Sequence, residues 1–64
     1  MTKLALHFND RAHQVIDNVT AYFYYKNHLH VRTLFGNCPE ERMYARKNII
    51  AIFEVEDDGK RRII

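Results

Sequence analysis

Sixty-four residues with a net charge of +2 make one domain near the lower size limit for independent folding. A hydrophobic fraction of 47% and a mean hydropathy of −0.45 fit a globular chain rather than a disordered one, and the charge is too small to imply nucleic acid unaided. One cysteine, Cys38, excludes an internal disulfide. No run approaches the roughly 18 apolar residues of a membrane span, and Met1-Thr2-Lys3-Leu4 meets His7 and Asn9 too soon for a signal peptide. The expectation is a cytoplasmic protein in a reducing compartment, with self-association supplying what a thin core lacks.

Leu4, Leu6 and Phe8 alternate with Lys3, Ala5 and His7, which predicts a first strand ending at the turn Asn9-Asp10. Arg11 to Ile16 is a weaker second strand. Val19, Ala21, Phe23 and Tyr25 alternate with Thr20, Tyr22, Tyr24 and Lys26 in a third. A competing helix capped by Asp10 would carry Ala12, Ile16, Val19 and Phe23, but Val19 to Tyr25 is dense in residues that favour strands. Leu29 and Val31 alternate with His28, His30 and Arg32 in the fourth strand, which runs to Leu34. Residues 39–47 fit either a strand or a short helix: Pro39 suits a first helical position, and the order from Glu40 and Glu41 to Arg46 and Lys47 suits a helix dipole. Ile49 to Glu56 forms the last strong strand, with a turn at Asp57-Asp58-Gly59 and a short closing strand from Lys60 to Ile64.

Parity suggests how the third and fourth strands pair. A three-residue loop, Lys26-Asn27-His28, sets Tyr25 against Leu29, Phe23 against Val31 and Ala21 against Thr33, apolar with apolar. It sets Tyr24 against His30 and Tyr22 against Arg32 on the other face. A two-residue loop would mix buried and wet faces. The expected fold is all-β: a small antiparallel meander of five or six strands forming a partly open barrel or sandwich, with a short helical turn allowed near Pro39. The expected core is Leu4, Leu6, Phe8, Val15, Val19, Phe23, Leu29, Val31, Ile50, Ile52, Phe53 and Val55.

Phe8-Asn9-Asp10, Asp17-Asn18-Val19-Thr20, Leu29-His30-Val31 and Asn48-Ile49-Ile50-Ala51-Ile52 resemble a pattern in small, mostly uncharacterised β-rich proteins. Those proteins are encoded by phages and mobile elements of Gram-positive bacteria. The resemblance implies a strand meander and a phage or mobile-element setting; it carries over no catalytic residue.

Enzymatic signatures are sparse. The only glycines, Gly36 and Gly59, make no phosphate loop. His28-x-His30 puts two imidazoles on one strand face, short of the ligand count of a metal centre, so no metal and no cofactor is expected. Cys38 would need a cation or helix N-terminus to become a nucleophile, and Glu54 with Glu56 reads as a charged strand end. The expectation is a non-enzyme. Tyr22, Tyr24, His30 and Arg32, extended by Lys26, form the candidate binding strip. Tyr and Arg are enriched at protein interfaces, which favours a protein partner and a homo-oligomer. Rings beside cations also suit single-stranded nucleic acid, the alternative. A plain wet sheet or a second core layer would use the same residue types.

Overall fold

A computed structural model describes residues 2–56 and 59–63. It is a single six-stranded antiparallel sheet. The strands are β1 (Thr2–Phe8), β2 (His13–Tyr25), β3 (His28–Phe35), β4 (Cys38–Ala45), β5 (Ile49–Glu56) and β6 (Gly59–Arg62), with a 3-10 turn at Arg46–Asn48. Their order across the sheet is β4-β3-β2-β1-β5-β6, so among the described residues β4 and β6 are free edges and the sheet stays open. The all-β meander is the architecture that the alternation predicts. The predicted turn at Asp57-Asp58 and the end of the closing strand at Ile64 lie outside the described residues.

Three of the turns have a clear local cause. Phe8 and Arg11 close the first hairpin: the Phe8 amide donates to the Ala12 carbonyl at 2.9 Å and the Arg11 amide to that of Phe8 at 3.1 Å. The Asp10 side chain accepts from the Ala12 amide at 3.0 Å, the local bond that makes Asp a turn residue. Lys26 (φ 48°) and Asn27 (φ 66°) form a two-residue loop with both residues left-handed, whose twist matches the flanking strands. Gly36 (φ 61°) opens the two-residue loop between β3 and β4.

β2 replaces the two strands expected there. It survives the passage through Asp17 and Asn18 by bulging twice. Leu4 pairs with Ile16 but Thr2 with Val19, and Asn18 takes up the extra residue at φ 57°. Val19 pairs with Thr33 but Ala21 with Arg32, which leaves Thr20 as the extra residue on the other side. Each bulge reverses the parity of the residues beyond it. Ile16, Val19, Tyr22 and Tyr24 consequently all face the core, although their numbers do not alternate.

The bulges also bend the sheet. Ala45 lies beside His28 at the far end of β2, and Ile49 beside Phe8 near its start. On a flat sheet β4 and β5 would also stand four strand spacings, about 19 Å, apart. The chain between Ala45 and Ile49 reaches about 14 Å even when fully extended. The sheet must therefore curl. The 3-10 turn is seated between two hairpins by the Arg46 amide on the Asn27 carbonyl (3.0 Å) and the Asn9 amide on the Asn48 carbonyl (2.9 Å).

Inside the curl lies a core of Leu4, Leu6, Ile16, Val19, Leu29, Val31 and Ile52, with Phe8, Tyr22, Tyr24, Tyr44 and Ile49 packed against it. The choice left open over 39–47 resolves as strand to Ala45, followed by the short helical turn at Arg46–Asn48. Pro39 is accommodated because β4 is an edge and no strand needs its missing N–H. Several expectations need correction. Val15 (51% exposed) and Phe23 (38%) point outward, Phe23 because of the Thr20 bulge. Ile50 (58%) is the extra residue where Phe8 pairs with Ile49 but His7 with Ala51, so Ile49 turns inward instead. Phe8, Phe53 and Val55 are only half-buried.

Candidate interaction face

The two-residue loop at Lys26-Asn27 sets Tyr25 opposite His28, Phe23 opposite His30 and Ala21 opposite Arg32. On the next strand Ala45 faces His28, Met43 faces His30 and Glu41 faces Arg32. Residues directly opposite one another share a face. The outer surface of β2–β3–β4 is thus a grid of three rows: Ala21-Arg32-Glu41, Phe23-His30-Met43 and Tyr25-His28-Ala45.

This corrects the predicted strip. His30 and Arg32 are on the outer face with Lys26 at its end, but Tyr22 and Tyr24 are on the inner one. There Tyr22 lies against Glu54 and Arg61, an ion pair across β5–β6; burial raises its phenol pKa, and the Glu54 charge adds to that. Tyr24 lies under the Arg46 guanidinium at 4.8 Å. Phe23 and Tyr25 take their places outside. Alternation could not reveal this, because the unbroken aromatic run Phe23-Tyr24-Tyr25 supplies rings to both faces whichever register holds.

The outer grid is internally bonded. The Phe23 and His30 rings are stacked, 5.1 Å between centroids and 2° from parallel, and Tyr25 meets His30 edge-on at 6.1 Å. Arg32 lies 5.1 Å over the Phe23 ring and Lys26 5.5 Å over that of Tyr25, within cation–π range. Arg32 Nε donates to Glu41 Oε1 at 2.9 Å, and His30 Nδ1 lies 3.4 Å from Oε2. The Arg32 hydrogen bond first, and His30 second, hold the Glu41 carboxyl below the usual range. Beside the exposed Arg32–Glu41 pair the face presents apolar surface: Phe23 is 38% exposed, Tyr25 57% and Met43 59%.

The other half of the outer surface carries a second cluster that the sequence did not suggest. Phe53 meets the His7 ring edge-on at 5.1 Å, and Lys60 and Arg62 each bring a cation to 5.9 Å from it. His7 stacks on His13 at 5.8 Å. Phe53 was expected in the core, and its pairing with Arg62 follows only from the β5–β6 register.

The remaining candidates are dispersed. His28 Nδ1 lies 3.0 Å from its neighbour Lys26's carbonyl, and among the described residues no three His, Cys, Asp or Glu side chains are grouped to hold a metal. Cys38 is exposed at the start of a strand, without the helix N-terminus that would activate it. Glu54 pairs with Arg61 and Glu56 is exposed. No helix among the described residues is long and apolar enough to cross a membrane. No family model, curated protein or solved structure matches the chain.

Proposed function

We propose that this chain is a non-enzymatic cytoplasmic binding module, of phage or mobile-element origin, that recognises a host protein through the outer face of β2–β3–β4. The observation that carries the reading is the exposure of Phe23, Tyr25 and Met43 on adjacent rows of a face where Arg32 and Glu41 are paired with each other. Aromatic residues and Met are enriched at interface centres, and charges there are depleted or paired. Single-stranded nucleic acid is supported less well. A base would have to stack on rings already covered by His30 and Arg32, and Arg32, the natural phosphate partner, is held by Glu41.

The test is a pull-down from lysate of the host cell with wild-type bait and with a Phe23→Ser, Tyr25→Ser double variant, each with and without nuclease. The expected result is a protein held by wild type through nuclease and high salt and lost with the variant. Recovery of nucleic acid that falls steeply with salt would support the alternative instead. Equal capture by a folded variant would remove this face as the site.

A further inference from the structure

We propose that β4 is a self-complementary edge, on which a second copy of this chain pairs antiparallel about a two-fold axis centred on Glu41, merging the two sheets. This goes beyond the interaction face and concerns the strand edge beside it.

Strand geometry selects the edge. Of the two free edges, β6 is four residues long and carries Lys60, Arg61 and Arg62, a short cationic strand of the kind that resists pairing with its own copy. β4 has eight residues and charges of both signs.

Backbone direction then restricts the register. The two-residue loop makes Phe35 and Cys38 a hydrogen-bonded pair, and such pairs recur at every second residue along an antiparallel ladder. Cys38, Glu40, Arg42 and Tyr44 therefore bond to β3. Pro39, Glu41, Met43 and Ala45 turn their backbone groups to the open side. A second β4 must oppose these outward residues with its own outward residues, so a one-residue slip is forbidden.

Charge chooses among the registers left. Centring the axis on Glu40 sets Glu40 against itself, and centring it on Arg42 sets Arg42 against itself. Like charges directly opposite are unfavourable. Centring it on Met43 shortens the overlap, because the chain leaves the strand after Ala45 for the 3-10 turn. Centring it on Glu41 opposes Glu40 to Arg42 of the other copy, twice by symmetry, over nearly the full strand. The two Glu41 carboxylates at the centre are each already held by Arg32 and His30 of their own chain. Glu41 exchanges two backbone bonds with its copy, and the Met43 amide reaches the Pro39 carbonyl. The missing Pro39 N–H removes one bond at each end and leaves the centre intact. Both outer grids then lie on one side of the merged sheet, with the half-exposed Met43 beside Pro39 of the other copy.

Sedimentation and crosslinking test it on the full chain. Wild type is expected to sediment as a dimer of the 7.7 kDa chain, with a dissociation constant that Glu40→Arg raises about tenfold or more and that Glu40→Arg combined with Arg42→Glu restores. In a Cys38→Ser background, Glu41→Cys should oxidise to a disulfide dimer, because a central hydrogen-bonded pair has its Cα atoms about 5.5 Å apart. Arg42→Cys should not, since the diagonal separation of about 7–8 Å is beyond disulfide reach. Circular dichroism checks that each variant is folded. A monomer at every concentration, or crosslinking through Arg42→Cys and not Glu41→Cys, would overturn the proposal. A monomer that still loses its host protein on replacing Phe23 and Tyr25 overturns the dimer alone and leaves the interaction face standing.

Discussion

At the scale of single residues, neighbours in sequence have opposite duties. Tyr24 packs against the core under Arg46, whereas Phe23, one residue earlier, sits outside under Arg32. A charge at position 24 is set against the apolar core, with the Arg46 guanidinium on its other side, while one at position 23 meets water and the Arg32 guanidinium. Tyr24→Asp should therefore cost about 2–4 kcal/mol, enough to unfold a chain with so thin a core, and Phe23→Asp under about 1 kcal/mol. Urea denaturation of both variants decides it; the reverse order would mean that the Thr20 bulge is misplaced. Glu41 gives a second residue-scale expectation. Its carboxyl is held below the usual range in the folded chain, by Arg32 first and His30 second. A depressed folded pKa contributes stability that is complete above the ordinary carboxylate pKa and disappears as pH falls through the folded value. Wild type should exceed Glu41→Gln in thermal midpoint at neutral pH, by a small margin because the pair is exposed, and the two curves should converge in acid. Parallel curves down to strong acid would show that the pair contributes nothing.

At the scale of elements, β2 decides which faces are which. Asn18 holds a left-handed conformation at φ 57°, open to Gly at no steric cost and to Ala only with strain. Asn18→Ala should lose about 1 kcal/mol and Asn18→Gly should be close to neutral in chemical denaturation; equal losses would place the role of Asn18 in its side chain instead. The bulges also explain what could be read from the residues. Strands with unbroken parity were legible: Leu4 and Leu6 are buried as their alternation predicts, and so are Leu29 and Val31. Turn chemistry was legible at Asn9-Asp10. The faces of Tyr22 to Tyr25 were not, because the parity rule presumes a regular ladder and nothing local marks Thr20 as an insertion. A bulge of the same kind displaced Ile50. The Thr20 bulge also hid the two-residue loop at Lys26-Asn27, which breaks parity only if Val19 and Phe23 share a face. Of the predicted strip, His30, Arg32 and Lys26 lie on the outer face, whereas Tyr22 and Tyr24 lie on the inner one, each a single residue from the rings Phe23 and Tyr25 that lie outside.

At the scale of the whole molecule, six strands gain a core only because the sheet closes toward itself. β1 and β4 are separated in the sheet by β2 and β3, and no hydrogen bond joins them in the sheet order. Yet the Phe8 and Tyr44 rings approach to 5.9 Å between centroids. On a flat sheet three strand spacings would hold them roughly 14 Å apart. Their contact is thus a direct reporter of curl, independent of any strand pairing. It also sits beside the 3-10 turn whose bonds to Asn9 and Asn27 tie the two hairpins together. A double-mutant cycle isolates it. Phe8→Ala and Tyr44→Ala should each destabilise the chain through lost burial, and the pair should be less than additive by about 0.5–1.5 kcal/mol, the coupling of an aromatic pair in contact. Phe8→Leu with Tyr44→Leu serves as a milder cycle if the alanine double variant is too unstable to measure. Additive losses in both cycles would mean that the rings do not touch, that β1 and β4 stand apart, and that the sheet is flatter than the short link between β4 and β5 requires.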